Sequence, residues 1–204
     1  MTDKKFIITI GRERGSGGRM VGKMLAERFN IPYYDNELLR HAAEELDTSE
    51  EFLRNLDERT VLLMKPEPYE SISSFYYLPT AAELVGVQTR LIREFASRGS
   101  CVIVGRCADY FLSDYPNCFN IFLHSHMKDR ILHAAQVYHI PTEDARRLIK
   151  QVDRERSRYY KECTGNDWGK LQNYDLCINT STTGIEKAAD IAECFIRTVM
   201  DMPK

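Results

Sequence analysis

The stretch from Phe6 to Arg19, Phe-Ile-Ile-Thr-Ile-Gly-Arg-Glu-Arg-Gly-Ser-Gly-Gly-Arg, constrains this chain more than any other. An apolar, β-branched run ends at Gly11. Counting Gly11, four glycines and three arginines are crowded into residues 11–19, and helical spacing begins at Met20, Val21, Met24 and Leu25. A strand, a glycine-rich loop and a helix together make an anion site. Glycines let backbone N–H groups close around a phosphate, and the helix N-terminus adds partial positive charge. Arg12, Arg14 and Arg19 bring full charges in the fork geometry that suits phosphate oxygens. The loop is not a strict Walker A motif: aligning Gly18-Arg19 on its Gly-Lys pair lets Arg19 replace the lysine's charge but puts Glu13 at the first glycine and Met20 at the hydroxyl. Read instead as G-x-x-x-G-x-G, Gly11, Gly15 and Gly17 match a dinucleotide turn, with Asp35 near a ribose-binding position. The loop alone therefore specifies a phosphate or a nucleotide, without choosing.

The remainder alternates between strand and helix patterns. Strands are expected at Lys5–Gly11, Ile31–Asp35, Cys101–Gly105, Cys118–Leu123 and Tyr174–Asn179. Helices are expected at Arg19–Phe29, Asn36–Leu46, Thr80–Ser97, Met127–Tyr138, Thr142–Tyr160 and Ile185–Met200, the last capped through Thr183 and Glu186. Thr48 and Glu51 have the spacing of a capping box for one more short helix. Lys65 to Pro79, rich in proline, serine and tyrosine, reads as a surface or substrate-covering loop. Alternation of this kind implies a parallel α/β sheet. At 204 residues the chain fits one domain with a full core.

A net charge of -2 without a one-sided block argues against a generic nucleic-acid or membrane surface. The opening Met-Thr-Asp-Lys-Lys and the short run after it do not suit a signal peptide. Six cysteines without a C-x-x-C pair read as thiols in a reducing cytoplasm rather than disulfides or zinc ligands. His124 and His126 lack a companion ligand set, so a structural role fits them better than a metal.

Arginines recur at three places that such a sheet brings to one edge: the first loop, the Gly105-Arg106 turn, and the charged helix bearing Arg154, Arg156 and Arg158. That helix can also be read as a solvated face whose opposite charges satisfy one another. Phosphoryl transfer, however, asks a protein mainly for cations around the moving group and for exclusion of water. An arginine-bearing helix next to a flexible loop is a reasonable lid.

These residues together resemble the cytidylate kinase-like family of bacterial proteins, within the nucleoside monophosphate kinases. The likeness runs through Ile10–Arg19, Ile31–Asp35, Val102–Asp109, Asp153–Lys161, Thr164–Gly169 and Tyr174–Ser181. It implies a three-layer α/β/α fold of the P-loop nucleoside triphosphate hydrolase type with five parallel strands. Within one domain, 1–204, it implies an acceptor-binding helical insert over 36–98 and a lid over 142–170. It implies ATP and Mg²⁺, a small nucleotide acceptor with CMP or dCMP first, and neither nucleic acid nor membrane as partner. Gly15, Ser16, Gly17, Gly18, Arg19 and Met20 would cradle the donor, and Ser16 is the candidate magnesium ligand. Asp35, Asn36 and Arg106 would face the acceptor, with Arg19, Arg130, Arg154 and Arg158 acting on the transferred group. The sequence departs from the cytidylate kinase pattern at Arg19, Met20 and Cys107. A different small acceptor and a non-catalytic nucleotide sensor therefore stay open. A dehydrogenase does not fit, because no Tyr-x-x-x-Lys occurs.

Overall fold

The computed structural model describes residues 4–35, 37–49 and 81–201. Asn36, the Thr48–Glu51 capping box as a whole and the 65–79 loop lie outside the described residues. Five strands, β1 (Ile7–Arg12), β2 (Tyr33–Tyr34), β3 (Cys101–Val104), β4 (Cys118–His124) and β5 (Leu176–Asn179), form one sheet in the order β2-β3-β1-β4-β5. Every pairing is parallel, with Ile8 opposite both Val102 and Phe119.

The two-residue period of the strands divides the core. Ile8, Ile10, Val102, Val104, Ile121 and Leu123 face one side. There they meet Val21 and Leu25 of α1 (Gly18–Phe29) and Ala188, Ala192 and Ile196 of α8 (Ile185–Val199). Ile7, Cys101 and Ile103 face the other side, against Ala42 and Ala43 of α2 (Glu37–Glu45) and Leu84, Leu91 and Phe95 of α3 (Ala81–Arg98). Helices on both faces of a buried parallel sheet explain why its strands read as continuous apolar runs.

A small cluster of Ala134, Ala145 and Ile149 joins α5 (Met127–Tyr138) to α6 (Thr142–Thr164). Helix α6 runs one turn past its expected end at Tyr160, because Thr164 returns its hydroxyl to the Tyr160 carbonyl and Gly165 closes the helix at φ 72°. The expected cap on α8 is replaced: Gly184 is the N-cap and makes no side-chain bond, while the Thr183 hydroxyl donates to the Asn179 and Gly184 carbonyls. Two four-residue helices, α4 (Ala108–Phe111) and α7 (Thr180–Thr183), were not legible from periodicity, which needs more than one turn to show.

This topology places the first loop at the open edge of the sheet. From the central β1 the chain goes to the edge strand β2 and returns to β3 beside β1, then crosses to β4 and β5 on the other flank. Ligands of open α/β sheets bind beyond the carboxyl ends of the strands at such a reversal.

Candidate active site

The loop between β1 and α1 is held from outside. Gly15 sits at φ 85°, and a Cβ there would come within 2.7 Å of the Arg130 carbonyl oxygen, so only glycine fits. Arg130, 4% exposed, donates from Nε to the Arg14 carbonyl at 2.7 Å and pairs with Glu13 at 3.2 Å and with Asp153 of α6. Asp153 in turn accepts the Arg14 backbone N–H at 2.8 Å. Helix α1 then begins with no acidic residue in its first turn and no side-chain cap. Its N-terminal partial charge is thus not met by an acid of its own first turn.

Arg12, Glu13, Gly15, Gly17, Gly18 and Arg19 line a recess above this loop, closed on one side by Arg156. Ser16 and Met20 are not part of its wall. Ser16 is 1% exposed, and its hydroxyl donates to the Glu13 carbonyl at 2.9 Å. Met20 has no oxygen to offer, and the described residues hold no group of three His, Cys, Asp or Glu placed for a metal. The recess therefore offers guanidiniums and loop backbone to an anion, but no described set of protein ligands for a magnesium ion. An ion arriving with ATP would keep phosphate and water oxygens.

A second recess lies beside the first. Its floor is Gly11 and the turn after β3, where Gly105, Arg106 and Cys107 all take positive φ (77°, 59° and 55°). Three successive left-handed residues turn the chain sharply at the carboxyl end of β3 and carry Arg106 into the recess wall. A Cβ on Gly105 would run into the Arg12 guanidinium, which packs over this turn.

The opposite wall is aromatic. Tyr159 and Tyr160 come from α6, and Trp168 and Tyr174 from the loop after it. Trp168 and Tyr174 flank Phe122 of β4 at ring distances of 5.5 and 4.8 Å. Asp109 also lines this recess and accepts the Tyr160 hydroxyl at 2.6 Å. Burial raises its carboxyl above the ordinary carboxylate range, against the opposing pull of that hydrogen bond.

Arg12 and Arg156 belong to both recesses. Arg156 Nη1 donates to the Arg12 carbonyl at 2.9 Å, which ties α6 to the end of β1. Across the two linings five arginines, Arg12, Arg14, Arg19, Arg106 and Arg156, face two carboxylates, Glu13 and Asp109. Burial pushes the Arg156 guanidinium well below its ordinary value, and the nearby Arg12 charge adds to this. Burial likewise brings Arg106 down to about 10, with Tyr159 pulling upward and Arg12 downward. Cations that disfavour one another in a buried site are stabilised by an arriving anion.

The sequence-expected residues divide in this geometry. Gly15, Gly17, Gly18 and Arg19 line the first recess and Arg106 the second. Arg19 Nε also pairs with Asp35 at 2.6 Å, and Arg12 reaches the other oxygen of Asp35 at 3.8 Å. Asp35 is therefore buried between two guanidiniums at the end of β2. Arg154 and Arg158 are exposed, and neither lines a recess. Arg156, Asp153, Asp109 and the aromatic wall were missed as site residues. Helical periodicity held the signal for two of them: Ala145, Ile149 and Tyr160 mark the buried stripe of α6, and positions 153 and 156 fall on it.

The parallel five-stranded sheet, the loop at its central strand and the two joined recesses define a P-loop kinase-like phosphotransferase fold. A shikimate kinase from Bacteroides thetaiotaomicron has this fold, with a TM-score of 0.56 at 15% identity, 95% of this chain and 99% of that one being covered. The chain belongs to the cytidylate kinase-like family, whose match spans residues 7–182. It is 24% identical over 205 residues to the cytidylate kinase of Methanopyrus kandleri, covering 96% of this chain and 95% of that protein. An uncharacterized protein from Eubacterium ventriosum is similar in structure, with a TM-score of 0.72 at 29% identity and coverage of 94% and 98%. No helix among the described residues is long and apolar enough to cross a membrane.

Proposed function

We propose that this protein transfers a phosphoryl group from ATP to a nucleoside monophosphate, CMP or dCMP first, in the cytoplasm. The observation that carries the reading is that Arg12 and Arg156 line both recesses, so two guanidiniums stand where a donor and an acceptor phosphate would meet. The similarity to the Methanopyrus kandleri cytidylate kinase supports this choice of acceptor. ATP would supply the transferable phosphoryl. The amides and glycines of Gly15–Gly18 would receive its phosphates, and Arg19 would add charge from the start of α1. Arg106 would take the acceptor phosphate. Arg12 and Arg156 would neutralise charge on the group in flight and, with the aromatic wall, exclude water. Arg130 and Asp153 would act at one remove, by fixing the loop. In this proposal Arg156 takes the part that the family resemblance implied for Arg154 and Arg158. The segment 36–98 would close the acceptor side and 142–170 would form the lid.

Arg106→Ala tests the acceptor assignment. One charge-assisted pair is worth about 1.5–3 kcal/mol, so the KM for CMP should rise roughly 10- to 100-fold while that for ATP stays nearly unchanged. An unchanged acceptor KM and rate would remove Arg106 from the acceptor site. Met20 and the inward-turned Ser16 favour a second reading, a nucleotide sensor without turnover. It predicts ATP binding with no ADP release.

A further inference from the structure

Asp35 has no part in the transfer as described, yet it is the buried carboxylate beside the site's arginines. The strand pairing sets Tyr33 opposite Val102 and Tyr34 opposite Ile103, so Asp35 leaves β2 next to the Gly105-Arg106 turn. It is only 5% exposed and lines neither recess. Its partners do: Arg19 lines the first recess, and Arg12 lines both.

The two oxygens of Asp35 are held unequally. Oδ2 pairs with Arg19 Nε at 2.6 Å and lies 3.5 Å from the Tyr33 hydroxyl. Burial, and then the Asp35 charge, push that hydroxyl above its ordinary value, so it keeps the proton it donates. Oδ1 is buried and accepts no hydrogen bond, and Arg12 Nη2 stands 3.8 Å away, too far to donate one. A buried carboxylate oxygen left in this way costs stability. The carboxylate does offset the crowding of cations. Burial holds Arg106 down at about 10, Arg12 and Arg19 act in the same direction, and Tyr159 and Asp35 oppose them.

We propose that Asp35 is the resident counter-ion and positioning residue of the phosphate site, aiming the Arg12 and Arg19 guanidiniums and ceding Arg12 to an anion that enters the recesses. Arg19 is gripped at short range and keeps its aim. Arg12 is held by charge without a hydrogen bond, so it turns toward an arriving phosphate at little cost. The anion and Asp35 then compete for one guanidinium. By linkage, removing the carboxylate must tighten the hold on the anion and make the fold depend on it.

The inference rests on the phosphotransfer reading only for its effect on turnover; its first test is the binding of inorganic pyrophosphate. Asp35→Asn keeps the size and one acceptor oxygen but removes the charge. By titration calorimetry it should bind pyrophosphate about 3- to 30-fold more tightly than the natural protein, the effect of one unit charge near the bound anion. Its Tm should be several degrees lower without pyrophosphate and approach the natural value at saturation. Adding Arg19→Gln removes the opposite charge, so the double variant should lose the extra affinity and regain stability without the anion. With ATP and CMP, Asp35→Asn should lower kcat and the KM for ATP together, a split that a merely structural residue would not produce. Unchanged or weaker pyrophosphate binding would overturn the proposal. So would an Asp35→Asn protein that pyrophosphate does not stabilise, or that stays unfolded at every pyrophosphate concentration. A raised acceptor KM with unchanged pyrophosphate affinity would instead make Asp35 an acceptor ligand. Pyrophosphate binding needs neither acceptor nor turnover, so a failure of the kinase reading is distinguishable from a failure of this one.

Discussion

Arg156→Ala is expected to lower kcat/KM for phosphoryl transfer by about 10²- to 10³-fold, the range for removing one preorganised group that meets developing charge. Arg156 lines both recesses, while its neighbours Arg154 and Arg158 are exposed on the other face of α6. Arg154→Ala therefore serves as the comparison and should cost much less. Arg156→Lys keeps the charge but loses the planar fork that also reaches the Arg12 carbonyl, so it should recover only part of the rate. The loss should fall on kcat more than on the KM of either substrate, because the charge being met is largest in the transition state. Equal rates for Arg156→Ala and the natural protein would leave Arg156 as a strut between α6 and β1.

The second large effect is on stability. Arg130→Ala removes a buried cation shared by Glu13, Asp153 and the Arg14 carbonyl. Breaking a buried pair by deleting one partner costs about 3–5 kcal/mol; since Glu13 and Asp153 keep some contact with water, about 3 kcal/mol is the better figure. In a protein of this size that lowers Tm by roughly 6–12 °C. Thermal unfolding followed by circular dichroism reads it directly. Donor affinity should fall as well, since the loop loses its brace, and Arg130→Lys should restore part of the stability but not the bond geometry. A Tm within a degree or two of the natural protein would mean that the loop holds its shape without Arg130.

Much of the fold could be read from the chain because its strands are buried on both faces and its helices on one. Cys101–Val104 is an unbroken apolar run and Ile7–Ile10 is interrupted only by Thr9, and the helices between them carry clear stripes. The loop was legible for a different reason: Gly15 and Gly17 adopt backbone angles that other residues avoid, so the glycines mark the turn. The convergence of arginines at the sheet edge was also visible, as Arg12, Arg106 and Arg156 show. Which arginine of α6 turns inward was obscured by charge on every side of the helix. The apolar stripe through Ala145, Ile149 and Tyr160 held that answer, but Asp153 and Arg156 interrupt it with polar groups. The aromatic wall was invisible, because Phe122, Trp168 and Tyr174 meet only through the pairing of β4 with β5. A tyrosine or tryptophan in a polar loop does not announce which strand it will cover.

The most direct test of the account is a coupled ADP-release assay with ATP, Mg²⁺ and each of CMP, dCMP, UMP, AMP and GMP. Saturable turnover is expected with CMP or dCMP and little with the other three. Absence of turnover with all five acceptors, in protein shown to bind ATP, would contradict it.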